Sequence, residues 1–414
     1  MLVAGVFAAL VYGFVHQDLI AYGVRYAGIP VTGLTLSEAE DAIQKDIDEK
    51  LNGPAVIFTL PSEAAQEGKK FSISPSDMGI VPDAAATAKE AFEIGRESNA
   101  LMRVATIISC VTEGRDVPLA VTLDEDRMRK ALERVAAEVR VEPRNAWVSV
   151  DRQGPKVHEG VAGRRLDFEP LMEELKPKMA ALDIPQRVEL KLTVIEPEIK
   201  TEDVAATDAL LASYPTYYNP SSSRGDNIAI AAAAINGTFV KSGEEFSFNS
   251  VVGWRVPEAG YQMAPVIVDG KHEMDFGGGV CQVSSTLYNA VLLADLTVTA
   301  RASHFYPSGY VPAGLDATVA DGVLDFCFKN DLPHGVALIS YADGGDLTVE
   351  VWGHGADLPY EVALETEVLD ERPTVAAYRV YYDDGGYETG REKLHTDSYD
   401  VPSEHGEDNE QQAR

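Results

Sequence analysis

Gly277-Gly278-Gly279-Val280-Cys281-Gln282-Val283-Ser284-Ser285-Thr286 is a glycine run that ends on a cysteine, with apolar residues following at Leu287, Ala290, Val291 and Ala294. Glycine admits left-handed backbone and close approach of a neighbouring chain, so the run reads as a tight turn. The apolar spacing after it is helical, which places Cys281 in the first turn of a helix. Unpaired N–H groups and the positive end of the helix dipole stabilise an anion there, and a thiolate is such an anion. Downstream come His304 and then Asp316. A nucleophile, a base and an orienting carboxylate are thus available in order. A structural reading stands beside the chemical one: free cysteine is among the most buried residue types, and a glycine run before a helix can be turn chemistry alone.

The chain has 414 residues, enough for two or three domains of ordinary size. With 45% hydrophobic and 24% charged residues it has the composition of a folded protein. Its 66 acidic and 35 basic residues leave a formal charge of −31, which excludes a nucleic-acid groove built on clustered Lys and Arg. Three cysteines form neither a CxxC pair nor a disulfide framework. Cys110 lies in the apolar run 107–111, and Cys327 alternates with Phe326 and Phe328, so both are expected in the core. Residues 1–15 (MLVAGVFAALVYGFV) carry no charge but fall short of the roughly 20 residues that span a bilayer. Residues 1–22 are therefore expected to be the outer part of a membrane anchor whose start lies upstream, with a buried terminal helix as the alternative.

N-terminal to the glycine run, one order of elements recurs. Thr35 and Glu38 open a helix, strands follow, and Gly79 and Asp83 precede a second helix. In the next stretch a helix at 123–139 is followed by strands, and Gly163 and Asp167 again precede a helix. The expected fold class is α+β: duplicated small α+β units at 28–112 and 113–197, a mixed α/β domain at 205–355, a short β-rich piece at 360–401, and a disordered tail at 402–414. In the third region 228–235 reads as a small-residue helix, 213–218 as extended chain, and 310–352 as short strands.

Several uncommon strings keep a familiar order: Arg224-Gly225-Asp226-Asn227-Ile228, Gly243-Glu244-Glu245-Phe246-Ser247-Phe248-Asn249, Gly260-Tyr261, the glycine–cysteine run with Thr286-Leu287-Tyr288, and Gly314-Leu315-Asp316-Ala317-Thr318-Val319. With Arg301, His304, Tyr310 and Pro312 at the expected intervals, residues 205–355 resemble the VanW family. Phe305 departs from the pattern, which has a small hydroxyl residue after the histidine. On Phe71-Ser72-Ile73, Met78-Gly79-Ile80, Ile94-Gly95-Arg96, Glu159-Gly160 and Gly163-Arg164, the N-terminal units resemble the peptidoglycan-binding domain that often precedes VanW modules. The resemblance implies peptidoglycan or its stem peptides as partner. It also implies a single-pass anchor in the bacterial cell membrane with the bulk of the chain outside, and an association with glycopeptide (vancomycin) resistance. It implies no settled activity and no cofactor.

If Cys281, His304 and Asp316 converge, their order is similar to that of transglutaminase-like thiol enzymes, and the chemistry is acyl transfer. Cys281 attacks an amide carbonyl, His304 moves the proton, and Asp316 fixes the imidazole tautomer. Backbone N–H groups at Gly278 and Gly279 would hold the oxyanion, with Gln282 or Asn249 as side-chain donors. Arg224, Asn227, Arg301 and Tyr310 are expected to meet the substrate. A non-catalytic wall-binding or scaffold protein is the alternative, favoured by the duplicated units and by Tyr214, Tyr217 and Tyr218 as exposed aromatics. A zinc site on Cys281, His304 and Asp316 lacks any close ligand pair.

Overall fold

The computed structural model describes residues 18–61, 70–268, 271–370 and 373–400. Residues 1–17 of the expected anchor and the whole of the expected tail at 402–414 thus lie outside the described residues, while the anchor cannot run to residue 22, because Ile20 and Ala21 are buried in the first unit. Among the described residues no helix is long and apolar enough to cross a membrane. The chain forms two units, one from residues 1–142 and 163–195, the other from 143–162 and 196–414.

In the first unit helices begin where the sequence supplies caps. Thr35 and Glu38 form a reciprocal capping box on the helix Leu36–Leu51, which buries Ala39, Ile43 and Ile47. Asp83 accepts from the Ala86 N–H at 2.8 Å, ahead of the helix Ala84–Glu93. The second glycine–aspartate pair behaves differently. Asp167 makes no side-chain cap bond to the helix Phe168–Ala180, and of the two glycines Gly79 has the left-handed φ of 77°.

The element order recurs, yet residues 112 and 113 do not separate two cores. Strand Arg187–Glu189 pairs in parallel with Val56–Thr59, and Ala120–Leu123 pairs with Ile80–Asp83. One apolar cluster joins Phe58, Phe71 and Met78 to Met128, Leu132, Leu166 and Leu175. The two copies share this cluster, while a second one around Ile43, Ala88 and Cys110 lies almost wholly in the first. The hairpin of Trp147–Asp151 and Gly154–His158, read as part of the second copy, belongs to the other unit. There Ala146 and Val148 cluster with Val204, Phe239 and Ala337.

In chain order the second unit continues with β1 (Ala209–Tyr217), α1 (Ser223–Ile235), β2 (Phe239–Val240), β3 (Glu245–Ser247), β4 (Met263–Val268), β5 (Lys271–Phe276) and α2 (Val280–Leu293). Then come β6 (Thr297–Ala300), β7 (Cys327–Lys329), β8 (Val336–Asp343), β9 (Asp346–Gly353), β10 (Glu361–Val368), β11 (Thr374–Tyr382) and β12 (Glu388–Ser398). An antiparallel sheet of order β1-β9-β8-β2 carries Leu347, Val349 and Val351 on its inner face, the period-two pattern of a half-buried strand. Helices α1 and α2 pack on it through Ile228, Ala231, Ile235, Val283, Leu287 and Val291. Nearly every residue of α2 is buried, as befits a central helix.

Short strands are expected to dominate 310–352; they do so from Cys327 onward, but 310–326 is mostly irregular. The C-terminal β10-β11-β12 sheet is tied into this unit. The Tyr288 hydroxyl meets His395 Nε2 at 2.8 Å, and Arg379 donates to Asp295 at 2.6 Å and to the Leu296 carbonyl at 3.0 Å. Cys110 is buried, whereas Cys327 is only half-buried, with Sγ 3.4 Å from Asp325 Oδ2.

Candidate active site

Each glycine of the run meets a different constraint. Gly277 and Gly279 take φ of 80° and 106°, where only glycine is unstrained, and Gly279 is the N-cap of α2. A Cβ on Gly278 would lie 2.7 Å from the Pro265 carbonyl oxygen, so β4 approaches too closely for any side chain. Cys281 is then the second residue of α2, half-buried, with Sγ 3.4 Å from the Val319 carbonyl. Among the described residues no acceptor faces the N–H of Gly279 or Cys281, as helix starts leave them.

Polar residues of α2 clamp the loop that carries Asp316. Ser284 donates to the Ala317 carbonyl at 2.6 Å, Ser285 accepts from the Ala317 N–H at 2.9 Å, and Asn289 donates to the Leu315 carbonyl at 2.7 Å. Asp316 is 1% exposed and fully engaged. Its Oδ2 accepts from the His304 backbone N–H and faces His304 Nδ1, both at 2.6 Å. Its Oδ1 accepts from Arg301 at 3.1 Å and from the Tyr399 hydroxyl. With Nδ1 on Asp316, Nε2 is the nitrogen left for Cys281; the Tyr310 hydroxyl sits 3.3 Å from it.

The electrostatics follow from this chain of contacts. Burial penalises the Asp316 carboxylate, but hydrogen bonds from His304 and Tyr399 and the charges of His304 and Arg301 outweigh it, holding the group at about 2. Burial also disfavours a charged His304, yet its bonds to Asp316 and Cys281 raise it to about 9. Burial pushes the Cys281 thiol up, and the hydrogen bond and charge of His304, helped by Arg255, bring it below its ordinary value. The pair is therefore biased toward thiolate and imidazolium.

Other expected site residues are placed differently. Gln282 and Asn249 cannot serve as side-chain oxyanion donors. The Gln282 amide donates to Thr216 at 3.0 Å and the Tyr217 carbonyl at 2.9 Å. That of Asn249 donates to the Leu324 carbonyl at 2.8 Å while its oxygen accepts from Arg255 at 2.7 Å. Asn227 and Arg301 do not face a substrate either. Asn227 bridges Gln262 and the Gly278 carbonyl at 2.8–3.0 Å, so it holds the glycine run. Arg301, its side chain 8% exposed, binds the Asp316 carbonyl at 2.6 Å and Asp397 at 2.7 Å. Arg224 and Tyr310 do lie beside the site, the guanidinium 5.8 Å above the Tyr310 ring. Of the three tyrosines expected outside, Tyr217 is exposed, whereas Tyr214 and Tyr218 pack against the core. Phe305 is exposed and edge-on to Tyr306, so a large residue fits after the histidine.

Three contributors escaped the sequence reading. Tyr399 and Asp397 come from the C-terminal sheet region, and no local spacing links them to Asp316. Arg255 binds Asp321 beside an open groove of about 520 Å³ lined by Asn249, Trp254, Asp321 and Val323. The buried serines and asparagine of α2 were a usable signal, since polar residues inside an apolar helix need partners. Among the described residues the one group of three potential metal ligands is His334, His354 and Asp357, within 4.8 Å of one another. The set does not include Cys281, His304 and Asp316.

Residues 223–352 match the family model described as "VanW like protein", and residues 71–185 match the one described as "Putative peptidoglycan binding domain". The uncharacterized protein YoaR of Bacillus subtilis (strain 168) is 35% identical over 251 residues, 60% of this chain and 82% of YoaR. The vancomycin B-type resistance protein VanW of Enterococcus faecalis (strain ATCC 700802 / V583) is 30% identical over 159 residues, 37% of this chain and 52% of that protein. No solved structure gives a significant match. By the order of its motifs, the matched regions and these relatives, the chain belongs to the VanW family.

Proposed function

We propose that this protein is a bacterial envelope protein that binds peptidoglycan and performs cysteine-dependent acyl transfer or amide hydrolysis on wall peptides. The observation that carries the chemistry is the buried His304–Asp316 pair, Nδ1 2.6 Å from Oδ2, within electrostatic reach of Cys281 at the start of a buried helix. The Cys281 thiolate attacks a peptide carbonyl carbon, and the oxyanion is received by the free N–H groups of Cys281 and Gly279. The C–N bond then breaks as His304 gives its proton to the leaving amine. The thioester passes its acyl group to a second amine or to water, which His304 deprotonates in turn. Asp316 stays ionised and holds the ring. The groove beside Arg255 offers Trp254, 67% exposed, as a flat apolar face for the rest of the ligand.

The match of residues 71–185 supports peptidoglycan as the partner. Because cross-linked wall lies outside the cell, we take the part of residues 1–22 that precedes Ile20 as a single membrane anchor, Ile20 and Ala21 being buried in the first unit, and the remainder as extracytoplasmic. One relative is named for resistance to vancomycin, and remodelling of wall peptides would give this protein a part in glycopeptide resistance.

Purified wall peptides incubated with the protein and resolved by liquid chromatography and mass spectrometry test the activity. New hydrolysed or transferred species are expected with the wild type and none with Cys281→Ser. Identical profiles, with both proteins still sedimenting with insoluble peptidoglycan, would leave the second reading, a non-catalytic wall-binding protein, which the peptidoglycan-domain match alone supports.

A further inference from the structure

Arg224 stands apart from the other guanidiniums buried in this unit. Arg255 is paired with Asp321, Arg301 with Asp316 and Asp397, and Arg379 with Asp295, their side chains 6–8% exposed. Arg224 is half-buried and, among the described residues, has neither an ion pair nor a hydrogen bond from its guanidinium, which lies over the Tyr310 ring. In a chain with 66 acidic and 35 basic residues a partner was easy to supply, and a buried charge without one is costly.

Its position explains the vacancy. The stem runs against Gly279, where a Cβ would come 2.8 Å from Arg224 Cγ. Two residues further on is Cys281, and the group is electrostatically coupled to both Cys281 and Tyr310. Arg224 is set in the first turn of α1, which Ser222 caps through the Gly225 N–H at 3.0 Å, so its backbone is fixed beside the site while its guanidinium is left free of polar partners.

We propose that Arg224 forms a carboxylate-binding subsite, so that the substrate of Cys281 is a peptide bearing a free carboxylate beside the amide that is attacked. A guanidinium matches a carboxylate with two parallel hydrogen bonds. A single cation fits a monoanion better than a phosphate dianion, because the imidazolium of His304 is already engaged by the thiolate and by Asp316. This inference rests on the acyl-transfer reading above.

The test uses the full chain and two reagents of similar size, anionic iodoacetate and neutral iodoacetamide, with the rate at Cys281 followed by peptide mass mapping at neutral pH. The iodoacetate-to-iodoacetamide ratio is expected to exceed that of free glutathione by about tenfold, the scale of one charge-assisted contact. It is expected to fall to the glutathione value in R224Q and partly recover in R224K. In the wild type, N-acetylalanine should slow iodoacetamide labelling and N-acetylalaninamide should not. A wild-type ratio no higher than that of glutathione, or one unchanged in R224Q, overturns the proposal, as does equal protection by the two competitors. If Cys281 reacts with neither reagent, the acyl-transfer reading falls and this inference with it. Fast labelling without anion preference removes only the carboxylate assignment.

Discussion

Alkylation of Cys281 by iodoacetamide is expected to persist well below pH 8 in the wild type and to collapse there in His304→Ala. An unperturbed thiol, with a pKa of about 8.5, is only ~1% thiolate at pH 6.5. The imidazolium of His304 holds Cys281 below its ordinary value, which raises the thiolate fraction at that pH. A more acidic thiolate is also a weaker nucleophile, so the rate gains less than the thiolate fraction does. Without His304 the largest opposition to the burial of Cys281 is gone, Arg255 remaining as a lesser one, so the thiol is expected to rise. The charged pair is lost at both ends: protonation of the thiolate removes it on the acid side, and His304 loses its proton as pH rises through about 9. The other cysteines serve as internal controls. Burial and Asp325 push Cys327 up to about 11, and burial raises Cys110. Equal labelling of all three at pH 6.5, or a profile indifferent to His304→Ala, would contradict the assignment.

Asp316→Ala is expected to be the most destabilising single substitution at the site, by about 3–5 kcal/mol, the usual effect of removing one partner from a buried pair. The loss leaves Arg301 with Asp397 and the carbonyl of residue 316, orphans the His304 backbone N–H, and takes from the Tyr399 hydroxyl its closest acceptor, leaving it the Gly314 N–H. Asp316→Asn keeps the volume and should retain more stability, but it removes the charge that raises His304, so rapid labelling of Cys281 should be lost. The pH dependence has a definite sign. Asp316 is depressed to about 2, so its contribution is present above the unfolded value near ~4 and is lost as pH falls toward the folded one. The raised His304 contributes below about 6.5 and loses that contribution through about 9. Both shifts share one contact and do not add. Urea midpoints at constant slope measure the effect, and a loss under ~1 kcal/mol for Asp316→Ala would refute the buried-network account.

What could be read in the chain beforehand was mostly local. The glycine run, the helix behind it and the place of Cys281 in its first turn follow from backbone freedom and apolar spacing. The helix at 228–235 has an equally local cause, and it begins earlier, at Ser223. The irregular loop at 301–326 escaped because its order comes from α2 side chains rather than from its own pattern. Arg301 and Asn227 were read as substrate contacts since polar residues in a motif suggest ligands. Their partners, Asp397 and the Gly278 carbonyl, lie far along the chain. Tyr399 lies outside the region matched to the family and reaches Asp316 only through the return of β12. The duplicated order of the first unit was visible, but the shared core was not, because strand exchange between similar segments leaves no trace in either one.

The most direct measurement is intact-mass analysis of the protein after rapid acid quench from a mixture with purified wall stem peptides. An acyl adduct on Cys281, released by hydroxylamine as a thioester would be and absent in Cys281→Ser, is the expected result. Unmodified protein at every quench time, with the peptides also unchanged, would contradict acyl transfer at Cys281.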